Sequence, residues 1–206
     1  MATPNKILMQ HARESLHGKW RVVVGGYAIF LFASAIAGSI RIHKLSFIAL
    51  IIGGPFAFGL AKFSLALSRN QDVRVMQIFS GFHINLFWRQ FKAYLFRILF
   101  IFLWTLLFIV PGIIAALSYS QMFYILAEDP TISASDAMKK SKKMMYGNKW
   151  KYFCLDMRFV GWILVCILTL GIGFLWVFPY LQVSSAKFYE DISKEGEVQP
   201  KIITII

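Results

Sequence analysis

The chain has 206 residues, of which 58% are hydrophobic and only 16% are charged. Soluble domains average about 25% charged residues, so this composition excludes an ordinary soluble domain and a disordered chain. The 22 basic and 10 acidic residues give a net charge of +12. On so apolar a chain, that excess favours anionic lipid head groups over nucleic acid as the partner. The sequence therefore predicts an integral membrane protein.

Charged residues are rare enough to mark the ends of the predicted membrane helices. A spanning helix needs about 20 mostly apolar residues. Two uncharged windows, 98–127 and 159–186, hold 30 and 28 residues and are too long for one straight span each. Since each window contains proline or glycine, each is either one tilted, kinked span or a tight hairpin of two. The positions of the basic residues favour the hairpin, so we predict that each window turns back on itself. The resulting six spans are 20–40, 45–67, 91–110, 112–127, 152–170 and 172–188.

The breaks between and within these helices are assigned to proline and glycine. Proline removes a backbone donor and clashes with the preceding turn, and glycine permits a tight reversal. The predicted positions of a helix break or turn are Pro55, Pro111, Gly112, Gly171, Gly173 and Pro179.

The distribution of basic residues predicts the topology. Cytoplasmic loops carry excess lysine and arginine, and six spans with a cytoplasmic N-terminus leave only Arg41 and Lys44 outside. The predicted fold is all-α and polytopic, with six helices in three antiparallel hairpins and short interfacial amphipathic helices. The predicted parts are a basic cytoplasmic segment (1–19), one transmembrane domain (20–192) and a cytoplasmic tail (193–206).

One unit recurs along the chain. A Trp follows Lys19 and Lys149, and Trp88 is a looser version before the second hairpin. Each unit then reaches a proline, and Ala-Lys-Phe follows at 61–63 and at 186–188, with Ser118-Tyr119 at the corresponding place in the middle. Either the chain is a threefold repeat, or these are the tryptophans and prolines that recur in any membrane protein.

The segment after Pro130 predicts a basic amphipathic helix. Ser133 and Asp136 form the pattern of a capping box. Small and apolar residues share one face of this helix, and lysines occupy the opposite face, which suits a helix lying among lipid head groups. Either the lysines only set the topology, or they bind acidic lipid or a partner protein. A similar helix is predicted at 72–83, with Arg74, Gln77 and Ser80 facing away from its apolar side. The predicted head-group contacts are Lys139, Lys140, Lys142, Lys143 and Arg74.

No pattern of catalytic, cofactor-binding or metal-binding residues is found, so we expect no enzyme activity, no cofactor and no metal. The four histidines lack metal-ligand spacing, and no predicted span carries an acidic residue near its middle. One polar group within a span is Ser118, Ser120 and Gln121. These side chains either bond between helices or line a small polar path.

Three long stretches of the sequence resemble one family. They are LLFIVPGIIAALSYSQMFYILAEDP, SKKMMYGNKW and FVGWILVCILTLGIGFLWVFPYLQVSSAKFYEDI. The chain resembles an uncharacterised bacterial family of multi-pass membrane proteins, a domain of unknown function, from about Gly18 to Ile192. Arg158, and the lack of an acidic residue in VMQIFSGF, depart from the family pattern. The resemblance implies six helices and a bacterial cytoplasmic (inner) membrane, but no activity.

The leading functional hypothesis is a non-enzymatic membrane protein that organises lipid, preferentially anionic, or an unknown partner protein. A homo-oligomer is among the expected assemblies, and nucleic acid is not an expected partner. The alternative is a channel or transporter for a small molecule or lipid, in which Ser118, Ser120 and Gln121 would line the path.

Overall fold

The structure is a computed structural model that describes residues 3–28, 45–129, 131–169, 171 and 173–203, and the side chains among them outside 45–51, 84–85 and 195–203. Over these residues the fold is all-helical, as predicted. Part of the first predicted span, residues 29–40, lies outside the described residues, as do Arg41 and Lys44.

From α3 onwards the described helices follow one another closely along the chain. In chain order they are α1 (Asn5–Leu16), α2 (20–28), α3 (Leu45–Ser68), a 3₁₀ helix (Val75–Phe82), α4 (Ile84–Leu107), α5 (Ile109–Ser118), α6 (Met122–Glu128), α7 (Ala134–Met144), α8 (Lys149–Leu168) and α9 (Phe174–Ile203). Within the described residues, two stretches are long and apolar enough to cross a membrane, Leu86–Leu107 and Ile109–Glu128. The count of six spans therefore stays a prediction.

The chain turns back between α4 and α5. The break is at Phe108, whose backbone is extended (φ −160°, ψ 149°). Ring centroids of Phe100 and Tyr119 lie 6.2 Å apart, and those of Tyr94 and Phe123 lie 6.3 Å apart. Since the members of each pair are almost equally distant from Phe108 along the chain, α4 runs antiparallel to α5 and α6.

The break lies three residues before Pro111, so its predicted position at Pro111–Gly112 is wrong. Pro111 lies in the first turn of α5, where the backbone N–H has no partner within the helix and proline is tolerated. Gly112 serves the close approach of the two helices instead, because a Cβ there would lie 2.9 Å from the Cα of Thr105.

A second hairpin joins α8 and α9. Gly171 has a φ of +88°, which favours glycine, and it lies in the short connection between the two helices. The ring centroids of Phe159 and Tyr180 lie 5.2 Å apart, and those of Tyr152 and Phe188 lie 4.9 Å apart. These pairs make α8 and α9 antiparallel.

Two of the predicted breaks do not occur. The helix α3 continues through Pro55, and α9 continues through Pro179 to Ile203. Proline weakens a helix at one backbone hydrogen bond, but tertiary contacts keep a helix continuous where its neighbours compensate. Those two prolines therefore end no helix.

The same aromatic pair recurs in each pair of helices. A tyrosine of the first helix packs on a phenylalanine of the second at Tyr27–Phe63, Tyr94–Phe123 and Tyr152–Phe188. Lys19 Nζ also donates to the carbonyl of Gln71 at 3.0 Å, which makes α2 antiparallel to α3. In the middle unit the equivalent residue is Phe123, not the predicted Ser118-Tyr119.

The 3₁₀ helix packs closely on α3. A Cβ at Gly59 would lie 2.6 Å from the carbonyl carbon of Ile78, and one at Gly81 would lie 2.7 Å from that of Pro55. In a 3₁₀ helix, residues three apart lie on the same face. The face that points away from α3 is apolar, and its Met76 is 77% exposed.

The three-residue period also corrects the predicted faces of this segment. Gln77 and Ser80 were expected to face away from the apolar side. Their side-chain oxygens, Gln77 Oε1 and Ser80 Oγ, are instead buried with no hydrogen-bond partner in the described part of the chain.

Candidate functional site

The basic helix α7 begins with the predicted cap. Ser133 Oγ accepts from the backbone N–H of Asp136 at 3.1 Å and donates to Asp136 Oδ2 at 2.6 Å. The hydrogen bond with Ser133 and then the contact with Lys139 lower the pKa of Asp136. The cap satisfies one free N–H at the helix start and fixes where the lysine face begins.

The two faces of α7 have different environments. Ala137, Met138 and Ser141 are buried, and Ser141 Oγ donates to the carbonyl of Ser118 at 2.8 Å. The four lysines of the opposite side are exposed. The helix is therefore fixed on α4, α5 and α6 by its small and apolar residues, which leaves its lysine face exposed.

Two neighbouring apolar cavities lie between α7 and the hairpin of α4 and α5. The first, about 310 Å³, has Phe96, Phe100 and Met138 among its walls. The second, about 280 Å³, reaches towards the turn, where Trp104 and Ile114 line it. Both cavities share Tyr119 and Lys142, so they are adjacent, and we refer to the two together as the α7 groove.

Lysines stand along this groove. Lys139 and Lys142 line its first cavity, and Lys142 and Lys149 line its second. Lys139 is paired with Asp136 at 3.3 Å. Lys142 and Lys149 have no carboxylate partner among the described side chains. An apolar groove with two unneutralised ammonium groups at its edge suits a ligand with an anionic head and an apolar chain.

The other predicted head-group contacts lie elsewhere. Lys140 and Lys143 are exposed on α7 but line neither cavity. Arg74 is exposed at the N-cap of the 3₁₀ helix. The structure thus brings together Lys139 and Lys142 from the predicted set and adds Lys149, which the helical periodicity of α7 could not indicate because Lys149 begins α8.

The predicted polar path falls at the junction of α5 and α6. Ser118 Oγ and Ser120 Oγ donate to the carbonyls of Ile114 and Leu117, at 2.7 and 2.8 Å. Gln121 is fully buried and donates to Ser120 Oγ at 3.0 Å. The hydroxyls of Ser118 and Ser120 are therefore bonded to backbone carbonyls of their own segment, whereas the amide oxygen of Gln121 has no partner among the described residues.

The sequence did not indicate a charged cluster where α3 and α6 end beside the middle of α9. Arg69 pairs with Glu128 and, at 3.2 Å, with Glu190. Lys187 lies 3.5 Å from Glu190 and donates to the carbonyl of Ser68. These groups line a polar cleft of about 510 Å³. The cluster ties the three helices together, and only the concentration of charges near the predicted helix ends could have signalled it.

No group of three or more potential metal-ligating side chains occurs in the part of the chain that the structure describes. The two cysteines, Cys154 and Cys166, are both free thiols.

Comparison with known proteins gives one match. Residues 1–118 and 106–196 match a family described as a protein of unknown function (DUF975). The resemblance to an uncharacterised family is thereby confirmed. No curated protein matches the chain, and no solved structure matches it.

Proposed function

Because the chain belongs to this family of proteins of unknown function, whose description assigns no activity, we propose a function from the geometry. The protein is a non-enzymatic integral membrane protein of the bacterial cytoplasmic membrane. It holds its apolar hairpins in the bilayer and binds anionic lipid along the α7 groove, as a monomer or a homo-oligomer. This proposal assigns the lysines of α7 to lipid binding as well as to topology.

The observation that carries the proposal is the exposure of an apolar helix. Leu86–Leu107 is long and apolar enough to cross a membrane, yet only 11% of its most apolar window is buried. The core helix of a soluble protein would be mostly buried. Each large apolar side chain removed from water contributes about 2 kcal/mol, and side chains such as Phe102 (62% exposed) and Leu106 (73%) need a lipid environment to realise it.

The finer topological proposal places both termini and every basic segment on the cytoplasmic side. The apolar segments are arranged as antiparallel hairpins, and a hairpin returns the chain to the side from which it started, whatever depth it reaches. The excess of lysine and arginine on that side then follows the positive-inside rule.

The α7 groove provides the test of lipid binding. We expect Lys142→Glu combined with Lys149→Glu to weaken binding of phosphatidylglycerol, by at least about fivefold for each lysine, since each contributes about 1 kcal/mol near an anionic surface. Native mass spectrometry of the detergent-purified protein with added phosphatidylglycerol measures the bound fraction. The control combines Lys140→Glu with Lys143→Glu, which makes the same total charge change at two exposed lysines of α7 that line neither cavity.

Equal losses in the groove variant and in the Lys140→Glu, Lys143→Glu control would show that only net charge matters and would overturn the assignment of the groove. Unchanged binding in both would remove anionic lipid from the proposal.

A channel or transporter is the second candidate function, favoured by the unpartnered Oε1 of the buried Gln121. A path for a polar solute needs such free acceptors. Flux of small ions and polar solutes through vesicles that hold the purified protein tests it. Flux that falls in Gln121→Leu would support the path, and no flux above that of empty vesicles would count against it.

A further inference from the structure

We infer that the α4–α5 hairpin ends inside the hydrocarbon core and enters only one leaflet of the bilayer. This inference rests on the proposed function, namely that the protein is embedded in a membrane. It replaces the sequence-based prediction that this hairpin crosses the bilayer twice.

The turn of the hairpin carries no polar side chain. The residues around the break, Leu107, Phe108 and Ile109, are 62%, 70% and 73% exposed. A hairpin that crossed the bilayer completely would place these three large apolar side chains at the far surface, in contact with water and head groups. A hairpin that ends in the hydrocarbon core keeps all three in an apolar solvent.

The backbone of the turn is suited to that environment. Phe108 donates its N–H to the carbonyl of Trp104 at 3.1 Å and accepts from the N–H of Gly112 at 3.2 Å. Pro111, in the first turn of α5, has no N–H that needs a partner. Irregular backbone is costly in lipid because its polar groups lack partners, and these two hydrogen bonds satisfy both polar backbone groups of Phe108.

The position of the α7 lysines limits how deeply the α4–α5 hairpin enters the hydrocarbon core. Lys142 shares a cavity with Trp104, and Lys139 shares one with Phe100. At 1.5 Å per residue, Trp104 lies about 6 Å, and Phe100 about 12 Å, along α4 from the turn at Phe108. The apolar stem of a lysine, extended towards the head groups, adds about 6 Å to the distance between the turn and the ammonium group. The hairpin therefore reaches less than about 20 Å past the charges, whereas the hydrocarbon core is about 30 Å thick.

The α8–α9 hairpin independently indicates that an apolar hairpin of this protein enters only one leaflet. Arg158 is exposed on α8, ten residues before Leu168, which is 83% exposed at the end of the helix. Ten helical residues span about 15 Å, half of the hydrocarbon core. At the end of α8, Thr169 Oγ1 donates to the carbonyl of Cys166 at 3.0 Å, so this hydroxyl is bonded within its own helix end. Apolar hairpins that enter one leaflet increase the area of that leaflet alone and act as a wedge.

Depth-dependent fluorescence quenching tests the inference. A bimane label is placed at Phe108→Cys in a background of Cys154→Ser and Cys166→Ala, with Ile109→Cys as a second position if the first variant does not fold. The control label is at Ser135→Cys, which is exposed at the start of α7. The full-length protein is reconstituted in phosphatidylcholine–phosphatidylglycerol vesicles whose acyl chains carry bromine near the head group or near the bilayer centre.

We expect bromine near the bilayer centre to quench the label at Phe108→Cys at least twofold more than bromine near the head group, and iodide on either side to leave it unquenched. Quenching by iodide on the side opposite to the Ser135→Cys label would overturn the inference, because the hairpin would then cross. No quenching of the turn label by any brominated lipid would instead refute the proposed membrane location itself.

Discussion

The close packing of the 3₁₀ helix on α3 leads to a prediction about Gly59→Ala. The added Cβ would lie 2.6 Å from the carbonyl carbon of Ile78. Ordinary carbon–carbon contacts are about 3.5–4.0 Å, so the two backbones must separate by about 1 Å. Overpacking of this kind costs about 1–3 kcal/mol, and the cost is at the upper end here because the obstacle is backbone rather than a movable side chain.

The matched control is Gly161→Ala, which lies inside α8 with no heavy atom within 4 Å of the added Cβ. In a helix this change stabilises by about 0.5–1 kcal/mol, because alanine loses less backbone freedom than glycine. For a chain of this size, 1 kcal/mol corresponds to about 2–4 °C in the unfolding midpoint. We expect Gly59→Ala to lower the midpoint by about 5–10 °C and Gly161→Ala to raise it slightly.

Thermal unfolding in one detergent, followed by tryptophan fluorescence, measures both variants. Equal midpoints for Gly59→Ala and the wild type would refute the close backbone contact, and a similar fall in Gly161→Ala would show that any added methyl group destabilises the protein.

Three further predictions concern buried and capping groups. We expect Gln90→Met to raise the unfolding midpoint, because neither Oε1 nor Nε2 of this buried amide has a partner among the described residues; a lower midpoint would show that the amide is bonded. Burial acts to raise the pKa of Asp191, but hydrogen bonds from Lys151 and Thr3 lower it overall. Its contribution to stability is therefore full at neutral pH and is lost as the pH falls below about 4. The midpoint difference between wild type and Asp191→Asn should shrink over that range, and a constant difference would contradict the ion pair. We expect Ser133→Ala to speed amide hydrogen exchange in α7 about fivefold, for a cap worth about 1 kcal/mol; unchanged exchange would rule out this cap.

The features that the sequence predicted best depend on neighbouring residues. The start of α7 at Ser133 and the burial of Met138 opposite the lysines follow from capping and from a period of 3.6. That each long uncharged window turns back followed from its length together with the distribution of basic residues. The position of the first turn did not, because proline is as acceptable in the first turn of a helix as at its end. The break therefore lies at Phe108, not at Pro111.

The features that the sequence did not predict depend on long-range contacts. Arg69, Glu128 and Glu190 are separated by about 60 residues each along the chain, and only the packing of α3, α6 and α9 brings them together. The outward face of the 3₁₀ helix was misassigned because an α-helical period was applied to a segment that repeats every three residues. The α7 groove likewise needs Phe100 and Lys149, which come from two other helices.

Alkaline carbonate extraction of membranes from cells that express this chain tests whether its apolar helices lie within the bilayer. Carbonate at high pH releases proteins held at the surface by charge, including any held only by the lysines of α7, but leaves proteins whose apolar segments lie within the hydrocarbon core. We expect the protein to stay in the membrane pellet and to be released only by detergent. Recovery of the folded protein in the carbonate supernatant would contradict that expectation.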